Sequence, residues 1–318
     1  MMGTVDGAPF TGAECPPEIS NAAEGVVPCT RTVDVSVVVA NYNNGVYLSE
    51  FFESCLRSTV APREWIFVDD GSTDDSVDIA RRHLSQLTNL RIVTLPSNCG
   101  FAIALNEGVR LARGEFIARV DPDDILLPQR LQLQYNVLAA HLADVVGCNA
   151  IYYQSDLKTD IGHTNFPVSH KAIVECFKRG ELGLLHATVM AKASLFLKYK
   201  YVQTNVPAED YDIFARMTKS GARFMNLRIP GIRYRVHRLS VSNHIRYSTI
   251  AKTYMLRDKI FGTRTSPARV WLYFTYIWSY RRGRFARNII SRSLYFAIAA
   301  VARPGKVVAR LRSILGLA

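Results

Sequence analysis

The chain has 318 residues, 48% of them hydrophobic, which is enough for one large domain or for a catalytic domain with an appendage. This composition excludes a fibrous or intrinsically disordered protein. The net charge of +12 is unevenly placed, because residues 259–318 contain twelve Lys and Arg residues and no Asp or Glu. Such an asymmetry predicts a terminal segment that meets an anionic partner.

The amino-terminal half predicts alternating strands and helices. Residues 1–31 are rich in Gly, Pro, Ala and Thr without periodicity, and we interpret them as a flexible extension. After them, apolar β-branched runs alternate with stretches of helical periodicity. Strands are predicted at 33–40, 65–68, 90–95, 116–120 and 145–153, and helices at 46–57, 74–87, 101–112 and from about 128. This alternation predicts an α/β fold with a mostly parallel sheet and helices on both faces.

The carboxyl-terminal half is less regular. Strands are predicted at 187–191, 224–227 and 232–236, and a helix at 208–220. Residues 259–318 are predicted to form a basic, aromatic-rich helical extension. No internal repeat is visible in the sequence.

Polar loops follow the first, second and fourth predicted strands. In parallel sheets, ligands bind outside the carboxyl ends of the strands, so these loops are where we expect a site. They read Asn41-Tyr42-Asn43-Asn44-Gly45, Asp69-Asp70-Gly71-Ser72 and Asp121-Pro122-Asp123-Asp124.

Two of these loops carry acidic motifs with a chemical interpretation. Asp121 and Asp123 suit a hard divalent cation that bridges phosphate oxygens, although an acidic loop that caps the next helix has the same pattern. A carboxylate at the end of the second strand, such as Asp70, can accept a nucleobase N–H or a ribose hydroxyl. The alternative there is an ordinary strand-to-helix turn, with Ser72 or Thr73 as the helix cap.

Together with further motifs in a fixed order, these loops resemble family 2 glycosyltransferases with the GT-A fold. The resemblance covers roughly residues 33–245. Its motifs are Val35-Ser36-Val37-Val38-Val39, Asn41-Tyr42-Asn43, Asp69-Asp70-Gly71-Ser72, Asn98-Cys99-Gly100, Ala104-Leu105-Asn106, Gly114-Glu115-Phe116-Ile117, Asp121-Pro122-Asp123-Asp124, Ala208-Glu209-Asp210-Tyr211-Asp212 and Tyr234-Arg235-Val236-His237. It implies a catalytic domain at 32–258, with a nucleotide-binding half at 32–150 and an acceptor-binding half at 151–258.

The resemblance implies a set of residues that bind the donor. Asp70 is expected to contact the uracil ring. Asp123 is expected to ligate Mn²⁺ or Mg²⁺, while Asp121 faces the ribose or metal-bound water. The remaining contacts to the nucleotide are expected from Asn41, Tyr42, Asn43 and Gly100.

The resemblance also implies a catalytic base. Asp210 is expected to take the proton from the acceptor hydroxyl in an inverting transfer, with Glu209 as the alternative. Outside the family, the same pair is typical of a solvated first turn that complements a helix dipole. His237 is either a ligand of the metal or the diphosphate, which would favour manganese, or a polar strand-end residue. Arg235 either binds the diphosphate or pairs with an acidic neighbour.

Acceptor specificity is expected in residues 182–205, which contain no recognisable motif. His186 resembles part of an acceptor site in bacterial members, and a structural core histidine is the equal alternative. The QxxRW signature of processive synthases is absent, which indicates addition of one sugar rather than polymerisation.

The surroundings of the enzyme are also predicted. No Cys-x-x-Cys pair, secretory signal or uninterrupted apolar run of about 18 residues occurs, so we expect reduced thiols and a cytoplasmic protein that does not span a bilayer by itself. Basic residues beside aromatics at 259–318 favour contact with an anionic membrane surface. The alternatives are a packed appendage with a solvated basic face and, less favoured, a nucleic-acid contact.

The expected reaction is transfer of a hexose or N-acetylhexosamine from a UDP-sugar, with dTDP- and GDP-sugars as the alternatives, to a glycolipid or polyprenyl-diphosphate-linked glycan. The expected setting is the assembly of surface polysaccharide, such as lipopolysaccharide or exopolysaccharide, on the inner face of the cell membrane. One alternative is a non-catalytic nucleotide- or glycan-binding module. Others are a nucleotidyltransferase, which would need a basic Gly-rich loop that is absent here, and a nucleic-acid-binding protein.

Overall fold

The structure is a computed structural model that describes residues 31–155, 159–237, 246–285, 288–303 and 305. Nearly all of the predicted flexible extension at 1–31, and the end of the basic segment, lie outside these residues. The described part contains nine strands. They are β1 (Thr32–Asn41), β2 (Ala61–Asp69), β3 (Leu90–Thr94), β4 (Phe116–Arg119), β5 (Ile125–Leu126), β6 (Val145–Gln154), β7 (Asp160–His163), β8 (Met190–Lys192) and β9 (Phe224–Val236).

The strands form one mixed sheet in the order β3-β2-β1-β4-β8-β6-β9-β5, with β7 paired to β6. From β3 to β4 all neighbours are parallel. Beyond β4 the directions mix, because β8 runs antiparallel to both β4 and β6 while β9 is parallel to β6. The predicted α/β fold with a mostly parallel sheet is confirmed.

Ten α-helices surround the sheet in the described residues. They are α1 (Gly45–Leu56), α2 (Ser76–Arg82), α3 (Phe101–Leu111), α4 (Arg130–Ala139), α5 (His170–Arg179), α6 (Ala193–Tyr199), α7 (Glu209–Lys219), α8 (Tyr247–Phe261), α9 (Pro267–Phe285) and α10 (Ile289–Ala302). Two short 3₁₀ turns lie at His186–Thr188 and Gln203–Asn205.

The core lies on both faces of the sheet, and β1 shows why its sequence is an unbroken apolar run. Val37 and Val39 pack in one cluster with Phe52 of α1. Val38 points the other way and packs in a second cluster with Leu105 of α3. Because successive side chains of a strand point to opposite faces, a strand covered on both faces needs apolar residues at every position.

The carboxyl-terminal half differs from the sequence prediction in one strand and several short elements. The separate strands predicted at 224–227 and 232–236 are a single strand, β9, whose register against β6 shifts around Pro230. Proline cannot donate to the ladder, so the pairing continues past it through an irregularity rather than ending. The sequence prediction also missed β5, β7, α5 and α6, all of which are ten residues or shorter, and the part of α8 before residue 259.

The last three described helices pack on the rest of the protein and on each other. Ile250 and Tyr254 of α8 form a small cluster with Val270 of α9. The end of α10 is tied to the body where Arg303 donates to Glu181 at 3.0 Å. The predicted boundary between residues 258 and 259 falls inside α8, because the charge of the chain changes there while the helix continues. In the described residues, no helix is both long and apolar enough to cross a membrane.

Candidate active site

The candidate site lies at the carboxyl ends of three neighbouring parallel strands. β2, β1 and β4 are adjacent in the sheet and run in the same direction. Their ends therefore bring Asn41, Asp70 and Asp121 to one edge, as the strand order requires. The other predicted residues reach this edge from α3, α7 and β9.

Asn41 and Asp69 join the first two loops and are both buried. The Asn41 side-chain amide donates to Asp69 Oδ1 at 2.8 Å, and the Ser72 hydroxyl donates to the same oxygen at 2.6 Å. The backbone N–H of Asn43 in turn donates to Ser72 Oγ at 2.9 Å. Asp69 therefore holds the loops after β1 and β2 together. Tyr42 is left exposed beside it, and the nucleotide contacts of the loop stay a prediction.

Asp70 holds the loop before α3. Its two carboxylate oxygens accept the backbone N–H groups of Cys99 and Gly100 at 2.7 and 2.8 Å. Gly100 has φ +105°, and a Cβ there would lie 2.2 Å from the Gln203 amide nitrogen. Only glycine combines this backbone conformation with this close approach. Asp70 thus places Gly100 at the sheet edge, and its contact with a nucleobase stays a prediction.

Asp121, Asp123 and Asp124 form an acidic cluster after β4. Each offers a carboxylate oxygen within 4.8 Å of the others. Asp124 is buried, and one of its oxygens accepts the backbone N–H of Arg235 at 2.9 Å. Its other oxygen is also buried and has no hydrogen-bond partner among the described residues. Burial and the charges of Asp123 and Asp121 raise the pKa of Asp124 well above its ordinary value.

This cluster fits a divalent cation. Oxygen ligands suit Mg²⁺ and related ions, and a bound cation would offset the repulsion between the three carboxylates. His237 Nε2 lies 2.9 Å from Asp123 Oδ2. Adjacent ligands of an octahedral ion, each about 2.1 Å from it, are about 3 Å apart, so this pair has a suitable separation. The structure thus brings the two predicted metal ligands together, and their ligation stays a prediction.

Tyr47 packs against His237, and Arg235 packs against Tyr47. The rings of Tyr47 and His237 are 4.9 Å apart, and the Arg235 guanidinium lies 4.8 Å from the same tyrosine ring. Arg235 donates to the backbone oxygen of Asp123 at 2.9 Å and forms an ion pair with Glu50. The Arg235 side chain is buried, and its guanidinium is occupied by these partners. This geometry matches the expectation that Arg235 pairs with an acidic neighbour.

Arg119 is a residue at the site that the sequence prediction missed. It is buried at the end of β4, and its guanidinium binds both carboxylate oxygens of Asp121, one of them at 2.8 Å. Asp121 therefore has less freedom than Asp123 to bind a cation directly. The sequence contains one feature that could have identified Arg119, because it is the single charged residue inside the apolar strand Phe116-Ile117-Ala118-Arg119-Val120. Isolated buried charges are costly unless paired, so such a residue predicts a partner nearby.

Glu209 and Asp210 begin α7, and the pKa values of both carboxyl groups are raised. Burial raises the pKa of Asp210 to about 6, while the backbone N–H of Tyr211 and the charge of Arg119 act in the opposite direction. Burial and the neighbouring Asp210 raise the pKa of Glu209 to about 8. One oxygen of Glu209 is buried without a hydrogen-bond partner in the described part of the chain. At neutral pH Asp210 is the ionised member, which is the form that a general base needs.

His186 lies inside the protein between α3 and α7. Its Nε2 is 2.8 Å from the Tyr201 hydroxyl. Burial, followed by the charge of Arg119, lowers its pKa well below the ordinary value, so the ring is neutral. Tyr201 is fixed in turn by Asn106, through reciprocal hydrogen bonds of 2.8 and 2.9 Å. These contacts favour the structural interpretation of His186.

The sheet order and the acids at its edge define a GT-A-type glycosyltransferase fold. Residues 36–203, more than half of the chain, match the family model described as glycosyl transferase family 2. The chain therefore belongs to glycosyltransferase family 2.

Two bacterial relatives are similar in sequence. GlyG, a glycosyltransferase of Streptococcus pneumoniae, is 40% identical over 122 residues, which are 38% of this chain and 40% of GlyG. EpsE of Bacillus subtilis, which is named as a glycosyltransferase, is 30% identical over 61% of this chain and 69% of its own length. The chain thus matches less than half of GlyG and about two thirds of EpsE.

Two solved structures share the fold. Staphylococcus aureus TarS 1–349 in complex with UDP-GlcNAc has a TM-score of 0.58 at 15% identity, covering 86% of this chain and 92% of that one. The mannosyltransferase PcManGT of Pyrobaculum calidifontis, in complex with GDP-Man and Mn²⁺, has a TM-score of 0.53 at 18% identity. That match covers 90% of this chain and 81% of PcManGT. At these identities the similarity concerns the fold.

Proposed function

We propose that this protein transfers a single sugar, with inversion, from a nucleoside-diphosphate donor to a lipid-linked or polysaccharide acceptor. The observation that carries the proposal is the acidic cluster of Asp121, Asp123 and Asp124 at the carboxyl end of β4. A concentration of carboxylates at this edge repels an anionic ligand unless a cation joins them, and a cation there can hold a diphosphate.

The donor is a nucleotide sugar, with UDP as the favoured nucleotide. Asp70 follows β2 and Tyr42 follows β1, and these two strands are paired, so the loops after them are neighbours. Tyr42 is exposed and can cover a base that binds between these loops. A carboxylate suits the ring N–H of uracil, thymine or guanine, so the residues alone do not separate these bases. The UDP-GlcNAc complex of TarS supports UDP and an N-acetylhexosamine or hexose, whereas the PcManGT complex contains GDP-Man.

Mn²⁺ or Mg²⁺ would be held by Asp123 and His237, with Asp121 turned towards the ribose or a bound water. The ion would supply positive charge where the diphosphate leaves. The nitrogen of His237 would tilt the preference towards manganese. The bidentate pairing of Asp121 with Arg119 supports giving Asp123 the direct role.

Asp210 is the proposed general base. It accepts the proton of an acceptor hydroxyl while the oxygen attacks the anomeric carbon and the bond from that carbon to the diphosphate breaks. A single displacement inverts the configuration of the sugar and forms no covalent sugar–enzyme intermediate. The pKa of about 6 supports this role, because Asp210 is then mostly ionised at neutral pH and is still a stronger base than an ordinary aspartate.

The acceptor is proposed to lie in a glycolipid or a polyprenyl-diphosphate-linked glycan, within the assembly of cell-surface polysaccharide. Residues 151–258 would bind it. The enzyme would work on the inner face of the cell membrane, with residues 259–318 against anionic lipid. The excess of basic residues in that segment supports this location.

Calorimetric titration with UDP, dTDP, GDP and ADP tests the donor assignment. We expect UDP to bind in the presence of Mn²⁺, and at least about tenfold more weakly without it, because the diphosphate then meets an uncompensated acidic cluster. Preference for GDP or dTDP would correct the base. Failure of all four nucleotides to bind, with or without Mn²⁺, would contradict the proposed function.

A further inference from the structure

The side of α10 that faces away from the protein is apolar, whereas a helix in water carries polar residues on its exposed side. Ile290, Leu294 and Val301 are 74%, 59% and 84% exposed. Their spacing of four and seven residues places them on one side of the helix, together with the exposed Ala297. The opposite side buries Ala299 and Ala302. A helix of a solvated appendage would instead expose polar residues on that side.

α9 extends this apolar face with two tryptophans. Trp271 and Trp278 are 58% and 40% exposed, and they lie seven residues apart on one side of α9. The ring of Trp278 contacts Tyr295 of α10 edge-on, with centroids 5.7 Å apart. The exposed side of α9 therefore adjoins α10. Trp271, Trp278, Ile290, Leu294 and Val301 are called the outer face below.

A basic side chain borders the outer face. Arg282 is exposed four residues after Trp278, on the same side of α9, and its guanidinium lies 5.6 Å from the Trp278 ring centroid. Arg292 is also exposed, but its spacing of two residues from Ile290 and Leu294 places it on the other side of α10. No acidic residue occurs from residue 259 to the end of the chain. The partner that complements this chemistry is apolar in its interior and anionic at its surface.

The body of the protein holds the two helices with this face outward. Arg303, just past α10, donates to the buried Glu181 at 3.0 Å and lies 4.9 Å from the ring of Tyr273 in α9. Tyr273 in turn packs edge-on against Tyr254 of α8. The inner sides of both helices are thus already occupied. The outer face cannot pack on the body without breaking these contacts.

We propose that the outer face lies on an anionic lipid bilayer, with its tryptophan and aliphatic side chains in the boundary between headgroups and acyl chains and with Arg282 among the phosphates. Exposed tryptophan, exposed aliphatic residues and an unbalanced positive charge are the combination by which helices bind in this plane. The inference rests on the membrane location in the proposed function and specifies the surface involved.

Co-sedimentation of the full chain with vesicles tests the surface. Phosphatidylcholine vesicles with phosphatidylglycerol are compared with vesicles of phosphatidylcholine alone. We expect binding to the anionic vesicles, at least about tenfold weaker in Leu294→Glu/Val301→Glu and measurably weaker in Arg282→Glu. Leu142→Glu is the matched control, because Leu142 is equally exposed, at 60%, but lies after α4. The control is expected to bind vesicles like the wild type.

Tryptophan fluorescence gives a second readout. The chain has three tryptophans, and Trp65 is buried in the core, so the two on the outer face report on the membrane. We expect a blue shift on anionic vesicles and quenching by brominated lipids. UDP binding, measured in parallel, shows that each variant is folded. It also separates failure of this inference from failure of the proposed transfer.

Three outcomes would overturn the inference. The first is wild-type protein that does not bind anionic vesicles. The second is wild-type affinity for vesicles in both Leu294→Glu/Val301→Glu and Arg282→Glu, or binding without quenching, which would assign the contact to another segment. The third is a concentration-dependent dimer of the wild type that Leu294→Glu/Val301→Glu converts to a monomer, without any vesicle effect. A second copy of the chain would then cover the outer face.

Discussion

Replacement of Asp210 by Asn is expected to lower the rate of sugar transfer by about 100- to 10,000-fold, the usual contribution of a general base. Donor binding is expected to stay within about threefold of wild type, because a base that acts on the acceptor hydroxyl contributes little to donor affinity. Asn keeps the size of the side chain and can still accept the backbone N–H of Tyr211, which Asp210 accepts at 2.6 Å. The transfer rate at saturating substrate and the affinity for UDP check the two halves of the prediction.

Glu209→Gln is the matched control, because the neighbouring carboxyl group is mostly protonated at neutral pH. We expect it to lose much less activity than Asp210→Asn. The wild-type rate is expected to rise with pH through about 6 and then to level off, because a base works only in its ionised form. Wild-type turnover by Asp210→Asn, or an acidic limb near pH 8 abolished by Glu209→Gln, would assign the base to Glu209.

Replacement of Asp123 by Ala is expected to abolish the effect of Mn²⁺ on UDP binding and to lower the transfer rate by roughly a thousandfold. Asp123 is the member of the acidic cluster whose carboxylate lies 2.9 Å from His237 Nε2. Its loss therefore removes the pair that we propose as the cation site. Titration of UDP with and without Mn²⁺, followed by the transfer assay, measures both effects.

The same variant is not expected to unfold the protein. Removing one of three mutually repelling carboxylates relieves part of the repulsion that raises the pKa of Asp124, so the unfolding midpoint in urea should stay or rise. Asp78→Ala serves as the control, since Asp78 is an exposed acid of α2 that pairs with Arg81. A Mn²⁺ response retained by Asp123→Ala would remove Asp123 from the cation site.

The amino-terminal half could be predicted from the sequence because its signals are local. The apolar run of β1 specifies a strand buried on both faces. The alternation that follows allows a parallel sheet and few other arrangements. Once the sheet is parallel, the edge at which Asp70 and Asp121 meet follows from strand direction alone. The resemblance to the family then added the expectation that Asp210 and His237 reach the same edge.

Other features of the site depend on contacts between distant residues, which no local pattern reveals. Asp124 is buried because β9 pairs with β5 and places the Arg235 backbone against it. Arg130 of α4 donates to the backbone oxygen of Arg119 at 2.6 Å and supports the end of β4 from inside the core. Burial raises the pKa values of both Glu209 and Asp210, but the charge of Asp210 raises that of Glu209 further, whereas the Tyr211 N–H and Arg119 lower that of Asp210. The sequence does not show these contacts.

The exposed apolar side of α10 could not be predicted from the sequence, for a different reason. The composition of residues 259–318 indicates a membrane contact, but it does not say which side chains the body of the protein already uses. Tyr273 and Arg303 are occupied by inward contacts, whereas Trp271 and Val301 are left exposed. Only the packed structure separates these two sets.

The most direct test of the central claim is transfer of label from radiolabelled nucleotide sugars to membranes of the organism that makes this protein. UDP-glucose, UDP-galactose, UDP-GlcNAc and UDP-GalNAc are each incubated with the purified enzyme and Mn²⁺, and label is counted in the lipid-linked and polymeric fractions. We expect one donor to label one of these fractions with wild type and not with Asp210→Asn. Absence of label from both fractions with every donor, from a preparation that binds UDP, would contradict the account and favour a non-catalytic binding protein of the same fold.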